Sequence, residues 1–388
     1  MTHPAYPRIL HVISHLDMGG AENVAISLAE VLHPEFNFSF FAVGGVADNP
    51  VGQEMAQRLD RLNIPYHSGT AVEFKRGGVA QASFRLNRLI WNTQPDLIHL
   101  HTEMPETTFV GAALLGLPSA TKVIRTVHSS KIWPAWRRIG RLVEGRLGEA
   151  DIVGVSAASV QGLRDFQADQ LLPQTPPSRT RVIYNGVATT VPQIADACAQ
   201  AQAAQRPVQV LYAGRLAQEK GVDLLPGILT AAARLTSRPA EVTLLGHGPL
   251  EENLRTWVGS QQLPWTVRLE PPVPNLARQL HRYDVLLLPS RFEGLCIMAI
   301  EALMAGLPVV ATRVPGLAEV FPPGYPLLSE SEDVAGLGAC LAGAVERVEH
   351  YAEFVSAHRA HTVEHFGLHS MAANYSQYYR AELGRGSR

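Results

Sequence analysis

Residues 291–316 read RFEGLCIMAIEALMAGLPVVATRVPG, and the order of residue types in this stretch decides the fold. Apolar residues dominate from Leu295 to Ala305, a helical length, and Gly306-Leu307-Pro308 then interrupts the helix. The run that follows, PVVAT, is short, β-branched and without a polar face, which is the signature of a strand buried on both sides. A helix leading into such a strand belongs to a parallel sheet covered by helices. Two carboxylates, Glu293 and Glu301, stand out in this greasy surrounding.

The same alternation extends outward in both directions. RILHVIS, FNFSFFAV, DLIHLH, KVIRTVH, DIVGVS and RVIYN form one group of strand-like runs; VQVLYAG, EVTLLG, VRLE, DVLLLP and PVVAT form a second. Helix-length segments separate the runs, so the fold class is α/β with parallel sheets. Each group opens with a strand, a glycine-bearing loop and a helix, as in ILHVISHLDMGGAENVAISLAE and VQVLYAGRLAQEKGVDLLPGIL. Two Rossmann-like domains facing across a ligand cleft are expected, over residues 1–187 and 208–365. The Ala-, Gln- and Pro-rich residues 188–207 read as a linker. Residues 366–388 place Met371, Tyr375 and Tyr378 or Tyr379 at helical spacing, which predicts a terminal amphipathic helix.

A chain of 388 residues exceeds the size at which one core stops growing, in line with two domains. A formal net charge of −2 gives no general attraction to nucleic acid. Cys198, Cys296 and Cys340 have neither metal-site nor CxxC spacing, which points to a reducing compartment, most simply the cytoplasm. The longest apolar stretch, TFVGAALLGLPSA, falls short of the roughly 20 residues that span a bilayer, and the first residues do not resemble a secretion signal.

On one continuous helix, the offset from Glu293 to Glu301 would be about 12 Å, roughly the reach from a sugar across a pyrophosphate to a ribose. Between them, Gly294 and the backbone of Leu295, Cys296 and Ile297 would offer N–H groups at a helix N-terminus, where anions bind well. A first-turn glutamate complementing the helix dipole, followed by a solvated Glu301, is the plain alternative for the pair. Arg215 and Lys220, in AGRLAQEKG after Gly214, could converge on a pyrophosphate in place of a metal. The paired glycines Gly19 and Gly20 in MGGAE would let backbone approach a ligand, and the absence of GxGxxG removes the dinucleotide-dehydrogenase reading.

Taken in order, MGGAE, His128 in RTVHSS, Ser156 in ADIVGVSAAS, VIYNGV, AGRLAQEKG, LLGHGPL and FEGLCIMAIEALMAGLPVVAT resemble the retaining glycosyltransferases of family 4, which have the GT-B fold. The resemblance implies a metal-independent enzyme without a cofactor, moving a sugar from a nucleotide diphosphate donor, UDP-sugar ahead of GDP-sugar, to a hydroxyl acceptor in polysaccharide, lipopolysaccharide or glycolipid assembly. It implies that Arg215 and Lys220 bind the diphosphate, that Glu293 holds donor-sugar hydroxyls, and that Glu301 holds the ribose. His128 matches the histidine near the reacting sugar, while Gly19 and Gly20 would lie against phosphate and acceptor. The N-terminal domain would bind the acceptor, the C-terminal domain the donor, and the last helix would cross back to the N-terminal domain. Cys296 departs from the small residue often found there, which leaves the choice of sugar open.

Two other readings keep the same residues: a nucleotide-sugar epimerase of related fold and a non-catalytic nucleotide-sugar binding protein. HLHTEMPE places His99, His101 and Glu103 at two-residue spacing, on one face of a strand. A metal site, a core role, and His101 lining the acceptor site are all compatible with that spacing. His247 in LLGHGPL is a turn residue or a neighbour of the nucleotide. In KIWPAWRRIGRLVEGRL, residues 131–147, a wheel puts Trp133, Trp136, Ile139, Val143 and Leu147 on one face and Arg137, Arg138 and Arg141 on another. That pattern fits peripheral contact with anionic lipid or a lipid-linked acceptor, and equally an ordinary surface helix with its stripe on the sheet.

Overall fold

The computed structural model describes residues 6–17, 20–101, 103–118, 121–188, 206–273 and 275–384. The chain divides into two compact units, one of Met1–Gly186 with Leu368–Arg388, the other of Val187–Gly367. Val187, where the chain enters the second unit, pairs in a single bridge with Gly367, where it leaves. Most of the predicted linker, including Cys198, lies outside the described residues, as do Met18 and Gly19.

The first unit holds a parallel sheet of β1 (Arg8–Ile13), β2 (Asn37–Ala42), β3 (Tyr66–Ser68), β4 (Leu97–His101), β5 (Lys122–Val127), β6 (Asp151–Gly154) and β7 (Thr180–Val182), in the order β3-β2-β1-β4-β5-β6-β7. The second holds β8 (Val208–Ala213), β9 (Ala240–Leu245), β10 (Thr266–Glu270), β11 (Val285–Leu288), β12 (Val309–Thr312) and β13 (Leu328–Ser329), in the order β10-β9-β8-β11-β12-β13. The described strand pairs of both sheets are parallel. In each sheet the first strand pairs with both its second and its fourth. The winding direction therefore reverses beside the first strand, opening a crevice at the carboxyl ends of the strands where ligands of such sheets bind. Central strands such as β4, β11 and β12 are buried on both faces, which is why they read as unbroken apolar runs. The strands absent from the sequence reading are β3 and β13, edge strands of three and two residues with little apolar signal.

The terminal helix, Leu368–Gly384, belongs to the first unit and buries Met371, Tyr375, Tyr378 and Tyr379. Tyr379 meets Phe36 edge-on at 5.5 Å, and its hydroxyl lies 2.8 Å from His99 Nδ1. Ser156 caps the helix Ala157–Asp169 in a reciprocal capping box with Ser159, so its side chain serves the helix terminus.

Residues 131–147 take the ordinary course. Trp133, Val143 and Leu147 are buried in the core, with Trp136 packed against them, and the helix Arg137–Arg146 crosses over this cluster. Gly140 is required there, because a Cβ would come within 2.3 Å of the Trp133 ring. The wheel misplaces Ile139, which is exposed together with Leu142 and the arginines. Among the described residues, no helix is long and apolar enough to cross a membrane.

Candidate functional site

In the second unit the switch point lies between β8 and β11, and two loops meet at their carboxyl ends. The first carries Gly214, Arg215 and a short turn over Gln218–Lys220. Gly221 closes it with φ of 66°, and a Cβ there would lie 1.9 Å from the Pro289 carbonyl, so only glycine brings the two loops this close. The second runs from Ser290 to Cys296. Arg291 fastens them together: its backbone N–H donates to the Glu219 carbonyl at 2.9 Å, while its guanidinium donates to the Gln218 carbonyl, Asp223 and Glu332.

The result sets Lys220 Nζ 2.7 Å from Glu293 Oε1, which also accepts the Ser290 hydroxyl at 2.8 Å. Glu293 is 8% exposed. Burial opposes the charge on Lys220, but the adjacent Glu293 carboxylate more than compensates and holds its pKa above the usual lysine value. Arg215 is largely exposed and pairs with Glu219. The Gly246–Gly248 turn packs on this loop, with Leu216 N–H donating to the His247 carbonyl at 2.9 Å. The His247 ring itself is exposed and bonds Glu251 at 2.6 Å.

One expectation is corrected here. Glu293 and Glu301 do not share a helix: the helix spans Ile297–Ala305, and Cys296 caps it in extended conformation, with φ of −84° and ψ of 97°. The reason is tertiary. Gly316, with φ of 81°, is so close that a Cβ would meet the Glu293 and Gly294 carbonyls at 2.4 and 2.5 Å, and Glu293 is held by Lys220 and Ser290. Glu301 therefore lies about 6 Å along the axis from the helix start, not 12 Å from Glu293 on one rod. Glu301 has no hydrogen-bond or ion-pair partner among the described residues, and burial raises its pKa from the usual 4.5 to about 7. Leu295 and Cys296 are buried and Ile297 is partly so; burial pushes the Cys296 thiol up to about 12, so it is neutral.

In the first unit, β1, β4 and the end of β5 bring histidines together. His11 Nδ1 lies 2.8 Å from His101 Nε2, and His101 Nδ1 lies 3.1 Å from His128 Nε2. His99 bonds Tyr379 and Thr126 at 2.8 and 2.6 Å. Burial holds His11 and His128 near 3 and His99 and His101 well below the usual histidine value, so the set is neutral. Imidazole nitrogens of His11, His99 and His101 fall within 4.8 Å of one another, although the bonds above already occupy most of them. Glu103 does not share this face, because β4 ends at His101 and Glu103 opens the helix Glu103–Ala113, where it accepts the Trp133 backbone N–H. Gly20 is the exposed first residue of the helix Gly20–Leu32.

Beside His128, Arg125 donates to Glu106 at 2.9 Å and to both oxygens of Glu144 at 2.6 and 2.9 Å, all three being buried. None of His11, Arg125, Glu106, Glu144, Ser290 or Arg291 was singled out from the sequence. A charged or polar residue inside a strand otherwise apolar on both faces, as in RILHVIS and KVIRTVH, is the signal that marks two of them, because such a group must be paired.

Two family models match the chain in sequence, "Glycosyltransferase Family 4" over residues 18–191 and "Glycosyl transferases group 1" over residues 207–347. The chain belongs to the family 4, group 1 glycosyltransferases. A glycogen synthase of Mycobacterium tuberculosis is 27% identical over 326 residues, covering 79% of this chain and 74% of its own length. A D-inositol 3-phosphate glycosyltransferase of Streptomyces scabiei is 30% identical over 268 residues, 64% of this chain and 58% of that protein. Its counterpart in Pseudarthrobacter chlorophenolicus reaches 39%, but the match spans only 27% of that protein and 28% of this chain. Among solved structures, the Anabaena protein HepE in complex with UDP-glucose superposes with a TM-score of 0.75 at 18% identity, over 96% of this chain and 99% of that one. A glycosyltransferase from Rickettsia africae gives 0.76 at 17% identity, over 98% and 100%. At that identity the likeness establishes the fold, GT-B, for this family member.

Proposed function

We propose that this family 4 glycosyltransferase moves a sugar from a nucleotide diphosphate donor, held by the second unit, to a hydroxyl acceptor held by the first, with retention at the anomeric carbon and no metal. The observation that carries this reading is the Lys220–Glu293–Ser290 cluster at the switch point, together with the partly buried Glu301 beyond it, which has no hydrogen-bond or ion-pair partner among the described residues.

In this reaction the bond from the anomeric carbon to the phosphate oxygen breaks and its electron pair goes to the diphosphate. The acceptor oxygen bonds the same face, and its proton passes to the leaving phosphate. Lys220, exposed Arg215 and the N-terminus of Ile297–Ala305 stabilise the charge that develops on the leaving group. Two cations there serve in place of a metal. Glu293, with Gly294, holds donor-sugar hydroxyls, Leu295, Cys296 and Ile297 shape the sugar subsite, and Glu301 accepts from the ribose, the partner it lacks in the protein. Gly214 and His247 edge the donor, while His128, His101 and the Gly19-Gly20 loop serve the acceptor side. Uridine is favoured as the base, which the UDP-glucose of the Anabaena protein supports.

The test is a thermal-shift screen of nucleotide sugars followed by assay of free nucleotide diphosphate. Release only when acceptor is supplied marks transfer; release-free epimerisation, or binding without turnover, would sink the proposal. Peripheral lipid contact rests on what the helix Arg137–Arg146 leaves exposed, Arg138, Arg141, Ile139 and Leu142. Co-sedimentation with anionic liposomes at low and high salt tests it, and no pelleting at low salt removes it.

A further inference from the structure

The first unit contains a cavity of about 260 Å³ at the carboxyl end of β5, walled by Glu103, Glu106, Arg125, His128, Trp133 and Glu144. That is room for about one sugar ring, below the ~300–1,000 Å³ of pockets for larger organic ligands. Its wall is out of balance in charge. Arg125 is the one cation among the described residues lining it, and three of its five N–H groups donate to Glu106 and Glu144. Both oxygens of Glu144 are used, one of them also accepting the Trp133 indole N–H at 3.0 Å.

Two carboxylate oxygens are left over. Glu106 is only 3% exposed, yet its Oε2 has no donor among the described residues. Glu103 gives Oε1 to the Trp133 backbone N–H, and its Oε2 likewise has no described donor. Neither oxygen is among the fully enclosed atoms that lack a partner, so both are open to a donor that enters the cavity. His128 contributes no positive charge, being kept neutral by burial.

We propose that this cavity is a subsite for a ligand group rich in O–H and N–H donors, an amino sugar above all, and that it rejects phosphate and carboxylate. The inference rests on the transferase reading, since it makes this group part of the acceptor. An ammonium would bridge the spare oxygens of Glu103 and Glu106. A phosphate would meet three carboxylates against one arginine already paired with two of them. Burial raises the Glu106 pKa, and Glu103 and Glu144 raise it further against the lowering effect of Arg125, so the preference for an amine strengthens as Glu106 ionises.

The experiment uses the full chain and three probes, glucosamine, glucose and glucose 6-phosphate, titrated by ligand-observed NMR at about pH 6 and about pH 7, where an amine of ordinary α-amino type is still mostly charged. At the higher pH, glucosamine is expected to bind roughly tenfold tighter than glucose, and glucose 6-phosphate more weakly than either. Glu103→Gln keeps an acceptor for the Trp133 N–H but loses the charge. It should cut the glucosamine advantage several-fold and leave nucleotide-sugar affinity unchanged. Equal binding of the three probes, or tightest binding of glucose 6-phosphate, overturns the inference. Nucleotide-sugar binding measured on the same samples separates the two claims: its persistence without probe preference removes the subsite alone, whereas its absence removes the transferase reading.

Discussion

Glu301→Gln offers a prediction in which stability and function move in opposite directions. Burial raises the Glu301 pKa from 4.5 to about 7. An acid whose folded pKa is raised binds more protons folded than unfolded between those values, so its ionisation costs stability as pH rises through that window. Below about pH 4.5 the carboxyl is protonated in both states and the cost vanishes. Above about pH 7 the cost is complete, at most about 3.5 kcal/mol from ~1.4 kcal/mol per pH unit, and about 2 kcal/mol once solvent contact at this partly exposed site is allowed for. Glutamine removes the charge and keeps the shape. Glu301→Gln should therefore match the wild type near pH 4 and melt roughly 4–8 °C higher near pH 8, for a unit of this size. The same substitution should weaken nucleotide-sugar binding about tenfold, because a charged acceptor of ribose hydroxyls becomes a neutral one. Thermal melts across pH and calorimetric titration read the two effects separately. Equal melting temperatures at high pH would refute the burial argument, and unchanged affinity would refute the ribose role.

Other perturbations follow from the same geometry. Lys220→Met leaves Glu293 with Ser290 alone and removes a cation from the leaving group; turnover should fall about 10²- to 10³-fold in a nucleotide-release assay while circular dichroism stays native. Gly221→Ala forces a side chain into a left-handed turn against the Pro289 carbonyl, and denaturant titration should show a loss of at least ~2 kcal/mol. Arg125→Met strands two buried carboxylates and should cost about 3–5 kcal/mol at neutral pH, with partial recovery under acid conditions that protonate them; an unchanged urea midpoint would contradict the triad.

The central strands were legible because a strand buried on both faces is forced towards an apolar run, while the exposed edge strands β7 and β10 were marked only by short runs of β-branched and leucine residues. The edge strands Tyr66–Ser68 and Leu328–Ser329 carry no such constraint and left no trace. Lys220, Glu293 and Glu301 stood out in the sequence because charges beside glycines and apolar runs are anomalous locally. The start of the helix at Ile297 did not, since FEGLC is compatible with a first helical turn. What prevents that turn is the backbone of Gly316, more than twenty residues on.

The first unit shows the same division. That His99 and His101 share a face follows from the two-residue period of a strand alone. That His11 joins them depends on β1 pairing with β4, and that Arg125 meets Glu106 and Glu144 depends on two helices packing over β5. Sequence by itself determined the α/β class, the two strand groups and the residue types that suit a nucleotide sugar, because local periodicity and local charge carry that information. Only tertiary structure decided where the helix after Glu293 begins, which charges are paired, and which carboxylate oxygens have no donor among the described residues, because those depend on contacts between segments far apart in the chain.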